Sequence, residues 1–560
     1  MVWHIVLFSF LFVTLSPVIW RKLWKERMFW QLQLIRYLLG LLYSFFVFYV
    51  VLIDQTPAAY LTWFVWVVGV GLIVDFLLFV DIPFTFLGGV LGGVILLAFI
   101  YMKTVYPFAI AKDKYEFTQA EISEQSLEPM NEEHLPVVPK KYALYKTEKL
   151  LGKVENYFYY DLGDPTIQKI DGSLFWVTPV EYQDFFKWRQ SEYTPGYIRV
   201  SAEDHRAEAR FVEAKMKVVP SAYFSDNLFR QVRLQYPDLL LVDASFEPDE
   251  SGKPYYAVSY GRFEKFRAVQ DIQGVILVDP ASGEMKQYPL DRVPAFVDQI
   301  FPADVAWERN RWFGLYKHGF WNSIFGMRDV HRPTEWEGLF DIVAAFDKDN
   351  VAMHWITDHT RDEEESGSMV GYTMFNSRTG KLTYYTGANG MLNGRAATQV
   401  VEKTFREKQW RGANPILYNI YGEYTWLVPT LDSNGVLRQI VFVNARDEKV
   451  VGYGKSKQEA LNQYQYAVTS DLQPDTDVAT DRADIETISG KVESVHKTDR
   501  QDDVLIQFIL EGEEPIFSVR SSQSPYTIFL EPGHRVKIEY INTGETAVAV
   551  KNLKNLTLKR

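Results

Sequence analysis

Apolar residues fall in two regimes along this chain. The first 108 residues hold four long apolar runs, at 2–20, 29–53, 58–80 and 83–108. Each has about the 20 residues that cross a bilayer as a helix. Beyond them the pattern shortens to alternating stretches punctuated by Gly, Asn, Asp and Pro, which reads as strands and tight turns. Helical spacing returns between these stretches, as in SDNLFRQVRLQYPDL and AATQVVEKTFREKQW. The pattern predicts a membrane helical bundle of four spans, then α+β domains with antiparallel sheets and a small C-terminal β-barrel.

One apolar run at the N-terminus would fit a signal peptide, but four do not, and the first lacks a basic flank and a small-residue cleavage site. The loop RKLWKER carries Arg21, Lys22, Lys25 and Arg27 against Glu26, whereas DQTPA has no cation. The positive-inside rule then places the first loop and the turn Asp81-Ile82-Pro83 in the cytoplasm, and everything after Phe108 outside. Lys103, Lys112 and Lys114 run against this assignment. Arg36 and Asp75 lie inside the spans at about 8–11 Å from the same face, counting 1.5 Å per residue. A lone charge there is costly, so the two are expected to pair, as a helix clamp rather than an ion path. The run GGVLGGV offers Gly88/Gly92 and Gly89/Gly93 for close helix approach, within the bundle or, alternatively, between two copies of the chain.

Residues 109–145 are polar and acidic and read as a linker. Aromatic alternation in NYFYYDLG and SLFWVTPVEY marks an α+β region over 146–220. A helix followed by hairpins then occurs over 221–330 and again over 331–468, with turns at Asp249-Glu250-Ser251-Gly252, Ser282-Gly283 and Ser433-Asn434-Gly435. Val278-Asp279-Pro280-Ala281-Ser282-Gly283-Glu284 resembles the V-D-x-x-T/S-G turn of PepSY domains. FNSRTGK is similar, with Asn376 in the Asp position, and VNARDEK is a more divergent copy without the Gly. The resemblance spans about 221–468 and implies tandem cystatin-like binding or regulatory modules of a bacterial envelope protein, with no catalytic residues. An acidic linker at 469–485 precedes 486–560. That last region alternates in VLIQFIL and HRVKIEYI, and its turn Glu531-Pro532-Gly533-His534 resembles that of OB-fold or SH3-like barrels.

Charge narrows the function classes. The formal net charge is -12, and 486–560 carries 10 Lys and Arg against 11 Asp and Glu. Neither supplies the positive field that nucleic acid needs. With no cysteine, disulfides and thiolate chemistry are excluded. His354, Asp358 and His359 form the best metal candidate, but their spacing suits neither a helix face nor a strand face. GYGKSK has Lys449 where a phosphate-binding loop requires Gly, so Ser456 reads as a helix cap. Tyr384, Tyr385, Asn419, Tyr421 and Glu423 suit recognition of a peptide or glycan, or a packed core. The expectation is a membrane-anchored, non-enzymatic envelope scaffold or regulator without a cofactor. Its partners would be membrane lipid and another envelope protein or cell-wall material, and it would not bind nucleic acid. A homo-oligomer is compatible with the glycine stripe. The alternatives are a membrane-anchored wall hydrolase or protease, and an accessory subunit of a transport or secretion system.

Overall fold

Three helices among the described residues are long and apolar enough to cross a membrane: Arg27–Val50, Pro57–Leu78 and Thr85–Thr104. The computed structural model describes residues 1–125, 127, 134–336, 342–347, 352–361, 366–471, 485–500, 503–521, 525–541 and 547–558. The acidic run at 362–365 and most of the expected linker at 469–485 lie outside the described residues.

The first apolar run is not the single straight span expected for 2–20. Val2–Phe12 and Pro17–Leu23 are bent by 75° about a short non-helical break, so the bundle has a fourth crossing only if this pair counts as one. Pro17 has no N–H to continue the preceding helix and opens a new one instead. The break leaves backbone groups bare, which a membrane interior does not tolerate. Side chains satisfy them. Gln33 Oε1 accepts from the Thr14 N–H at 2.9 Å. Trp20 Nε1 donates to the Thr14 carbonyl at 2.7 Å, and Arg36 Nε to the Phe12 carbonyl at 2.6 Å.

Glycines bring the helices together. A Cβ on Gly92 would lie 2.5 Å from the Gly69 carbonyl oxygen, and one on Gly89 would lie 2.8 Å from the Phe76 ring. Gly88 has only Leu72 at 3.8 Å, and Gly93 has nothing within 4 Å. Gly89 and Gly92 therefore pack inside the bundle, against the helix Pro57–Leu78. Gly92→Ala is expected to lower stability by about 1–3 kcal/mol, the usual cost of overpacking, whereas Gly93→Ala changes it by less than about 0.5 kcal/mol. Melting midpoints in detergent measure the contrast, and equal midpoints for the two variants would refute it.

The region after the bundle is a series of antiparallel sheets, each preceded by a helix. Helix Lys140–Leu151 leads into a five-stranded sheet running from Tyr160–Leu162 to Arg210–Met216. Helix Leu228–Gln235 leads into four strands in the order Met285–Pro289, Val269–Val278, Tyr256–Glu264, Leu240–Phe246. Helix Ala303–Tyr316 precedes a third sheet containing Met353–Arg361, Gly371–Asn376 and Leu382–Tyr385. Helix Gly394–Thr404 precedes a fourth, from Arg411–Gly412 to Val451–Gly454, closed by helix Lys457–Asp471. A helix with an apolar face needs a sheet to bury it, and this pairing recurs throughout.

The described residues of the polar stretch expected as a linker at 109–145 are instead built into this body. Glu121–Ser123 adds a parallel edge strand to Leu382–Tyr385, with Ile122 opposite Tyr384. Leu127, Leu135, Val137 and Val138 are buried in the core shared with the fourth sheet. A handful of apolar anchors fixed this segment despite its acidic composition.

The turns share one device. Asp279 Oδ1 accepts from the N–H groups of Ala281 and Ser282 at 2.8 and 3.3 Å, and the Gly283 N–H closes the turn onto the Asp279 carbonyl with φ +75. Asn376 Oδ1 does the same for Arg378 and Thr379 at 3.0 and 2.9 Å, with Gly380 at φ +72. Asn444 Oδ1 takes Arg446 and Asp447 at 2.8 and 3.1 Å without a glycine. One side-chain acceptor two residues ahead of the N–H groups it holds is the Asx turn.

The C-terminal strands close into a barrel in the order Ile485–Arg500, Asp503–Leu510, Ile516–Arg520, Ala547–Asn555, Arg535–Ile541, which returns to the first strand. The third and fourth in that order pair in parallel, the others antiparallel. Phe508, Phe517 and Tyr540 fill its core, while Tyr526 and Phe529 are exposed on a short 3-10 turn.

The body is fastened to one end of the bundle. Arg233 Nε donates to the Leu52 carbonyl at 2.8 Å, and Arg230 Nη2 to that of Tyr49 at 3.1 Å, with its guanidinium 4.0 Å from the Tyr49 ring centre. Arg267 Nη1 meets Asp54 Oδ2 at 2.7 Å. Arg267 ends the hairpin tip Lys265-Phe266-Arg267, where three successive non-glycine residues take φ of +48, +49 and +67. Each left-handed residue costs about 1–2 kcal/mol. Contacts of Arg267 with Asp54 and of Lys265 with Asp113 on the helix Ala111–Thr118, at 2.9 Å, hold the tip in place.

Candidate functional site

Strand alternation decides the fate of the expected metal ligands. On Met353–Arg361, His354 and Asp358 share one face and His359 takes the other. His359 is fully buried, with Nδ1 2.8 Å from Nδ1 of His331 and Nε2 3.1 Å from Asn310 Oδ1. If His359 Nε2–H donates to the Asn310 oxygen, its Nδ1 is the acceptor for His331 Nδ1–H. Both rings are then neutral. Burial favours that form, pushing His331 down to about 4 and His359 down as well. Asp358 is held elsewhere, accepting a short hydrogen bond from Thr334 Oγ1 and a longer one from the Gly394 N–H at 3.4 Å. Burial raises its carboxyl to about 6. The three residues do not converge, and no cluster of metal-ligating side chains exists among the described residues.

His354 instead faces a cavity of ≈ 180 Å³ between the third and fourth sheets. Tyr372 and Tyr385, a registered pair on adjacent strands, line it from the third sheet. Tyr418 and Asn419 line it from the strand Ile416–Ile420 of the fourth. The two sheets are joined across it where the Tyr372 hydroxyl donates to the Leu417 carbonyl at 3.2 Å. Asn419 Nδ2 donates to the Leu127 carbonyl at 2.7 Å, so the core anchor of the 109–145 stretch forms part of the wall. His354 Nδ1 faces the Ala352 carbonyl at 3.2 Å, and burial lowers its pKa, so the ring is neutral at neutral pH.

Two polar atoms of these residues have no partner among the described residues, the Tyr418 hydroxyl and Asn419 Oδ1. Buried polar groups are nearly always hydrogen-bonded, so the orphaned Asn419 oxygen beside a cavity marks a place for a guest that supplies the bond. The guest is small, needs at least one donor for the Asn419 oxygen, and packs against tyrosine rings. Tyr418→Phe removes an unpaired hydroxyl, so the ligand-free protein is expected to hold its stability or gain up to about 2 kcal/mol. Thermal melting measures this, and a loss above about 1 kcal/mol would show that the hydroxyl is already satisfied.

Of the five recognition candidates, the structure brings Tyr385 and Asn419 to this cavity and leaves three elsewhere. Tyr384 packs on Gly371 and against His331, donating to the Val370 carbonyl at 2.9 Å. Tyr421 stacks on Tyr464 at 6.4 Å, and Glu423 lies 3.8 Å from Arg446. Sequence reasoning missed Tyr372 and Tyr418. Tyr372 was legible as the same-face neighbour of Met374, but the approach of the fourth sheet was not.

The intramembrane site assembles around Arg36 and Asp75, whose Nη1 and Oδ1 atoms are 2.5 Å apart. Thr14 Oγ1 sits between them, donating to Asp75 Oδ1 at 3.0 Å and accepting from Arg36 and Gln33 at 3.1 and 3.0 Å. The cluster ties the bent first segment to the next two helices. Thr14 and Gln33 carry no charge and gave no signal in the sequence.

No family model and no curated protein matches this chain.

Proposed function

We propose that this chain is a membrane-anchored binding and scaffold protein of a bacterial envelope, with its body of sheets outside the membrane. The observation that carries the reading is where the body is fastened. Its contacts fall at Tyr49, Leu52 and Asp54, at the far end of the helix that starts with Arg27 in the basic loop. By the positive-inside rule that loop is cytoplasmic, so the opposite end and the body on it are external.

The modules read as tandem PepSY-like units, supported by the three Asx turns at Asp279, Asn376 and Asn444. The closing order of the C-terminal barrel supports an OB-like fold. In this reading the cavity at Tyr418 and Asn419 is the recognition site. It takes an amide- or hydroxyl-bearing group from another envelope protein or from cell-wall material.

Protease treatment of intact protoplasts tests the reading. Digestion of the body, leaving a protected fragment that ends near Phe108, is the expected result. Full protection would put the body in the cytoplasm and overturn it.

A further inference from the structure

We propose that the groove between the helices Pro57–Leu78 and Thr85–Thr104 holds one anionic phospholipid, its acyl chain in the groove and its phosphate against Lys103. The groove has a volume of ≈ 400 Å³, with walls that include Leu61, Val65, Ile95 and Phe99. Its mouth carries Phe266, Lys103 and Arg267. Apolar walls between two spans face acyl chains in any membrane. A cation at the mouth selects among the headgroups above them.

Aromatic side chains set the level of the interface. Phe320 packs on Phe108 at 4.4 Å, and Trp321 and Phe325 stack at 5.9 Å while remaining 70% and 77% exposed. Tyr106 meets Phe266 edge-on at 5.8 Å. Exposed aromatics next to the end of a span belong at the headgroup boundary. Lys103 lies within two turns of Phe108 and so reaches the phosphate level, with the groove below it among the chains.

Charge bookkeeping at the mouth leaves one cation over. Arg267 is paired with Asp54, and Lys265 with Asp113. Lys103 forms no ion pair among the described residues. The strained hairpin tip gains a role in this arrangement. It presses Phe266 and Arg267 over the groove, where they would cover a bound lipid.

The proposal rests on these helices spanning a membrane, but not on which side the body lies. The test uses the full chain in dodecyl maltoside with equal amounts of dioleoylphosphatidylglycerol and dioleoylphosphatidylcholine, read by native mass spectrometry. One phosphatidylglycerol is expected to be retained about fivefold over phosphatidylcholine, the factor for one lysine at an anionic lipid surface. Lys103→Gln is expected to abolish that preference and Lys103→Arg to keep it, while Ala98→Trp, which fills the groove, lowers retention of both lipids. Equal retention of the two lipids by the wild-type chain would overturn the proposal, as would a preference that survives Lys103→Gln. Displacement of the lipid by millimolar inorganic phosphate alone would also overturn it, by showing an anion site without a chain. Protection of the body in protoplasts would move the site to the other leaflet and leave these retention ratios unchanged.

Discussion

Arg36→Leu and Asp75→Leu are each expected to cut the amount of folded protein in the membrane fraction, and the double variant to recover part of the loss. Breaking a buried pair from one side costs about 3–5 kcal/mol, because the remaining charge is left without its counterion. The two single variants are not equivalent. Without Arg36, the Asp75 carboxylate keeps only Thr14 as a partner among the described residues, and the Phe12 carbonyl in the helix break loses its side-chain donor. Without Asp75, Arg36 still holds the Phe12 carbonyl and Thr14. Its long side chain can also reach toward the interface. Arg36→Leu is therefore the worse of the two. The double variant removes both charges but leaves the Phe12 carbonyl unsatisfied, at about 1–3 kcal/mol, so recovery is incomplete. Membrane-fraction yield and melting in detergent measure the series. Equal loss in all three variants would remove the clamp as the explanation.

The same cluster shows what the sequence reveals and what it conceals. Charged residues in an apolar run stand out, so Arg36 and Asp75 are legible as a pair in the sequence. Pro17 was visible too, but its consequence depended on Gln33, Trp20 and Arg36 arriving from elsewhere to satisfy the broken backbone. In the body, the hairpin turns were legible because an Asp or Asn followed by Gly is a local device. Contacts between sheets are not local. Neither the parallel docking of Glu121–Ser123 nor the meeting of Tyr372 with Leu417 leaves a periodic trace. The cavity exists only because two separately patterned sheets face each other. That is why Asn419 was found as a residue type suited to recognition, while its partner Tyr418 was not.

Raising the pH from 7 to 9 is expected to lower the melting midpoint of the body, and Asp298→Asn to remove much of that fall. Glu247 and Asp298 are both buried side by side, and the Asp298 N–H donates to Glu247 Oε2 at 3.2 Å. Glu247 Oε1 also accepts from Ser245 at 2.8 Å and from the Gln299 N–H at 3.1 Å. Asp298 Oδ2 accepts from the Lys169 N–H at 2.8 Å, and its carbonyl from Ser377 at 2.6 Å. The pair thus joins the first, second and third sheets. Burial is the main cause raising both carboxyls well above the ordinary range, and the nearby Asp298 charge raises Glu247 further. A carboxyl whose pKa is higher folded than unfolded binds its proton more tightly in the folded state. Its stabilisation is complete below the unfolded value near 4 and is lost as the pH climbs through the folded value. Each unit of elevation is worth about 1.4 kcal/mol. Asp358 and Glu181 are raised by burial too and act with the same sign. The neutral histidines His359, which is buried, and His331 and His354, which are half-buried, act oppositely, removing stability as the pH falls through the unfolded histidine value near 6.5. Asp298→Asn isolates the joint from these others. The amide oxygen can still accept from Lys169, one buried charge disappears, and Glu247 loses the neighbour that raised it. The variant is expected to gain about 1–3 kcal/mol over the wild-type chain at pH 9 and little at pH 5. A wild-type midpoint that stays flat or rises between pH 7 and pH 9, above the window in which the histidines titrate, would refute the assignment. So would an Asp298→Asn chain whose midpoint falls as steeply as that of the wild type, because the slope would then belong to Asp358, Glu181 or the other buried acids rather than to the joint.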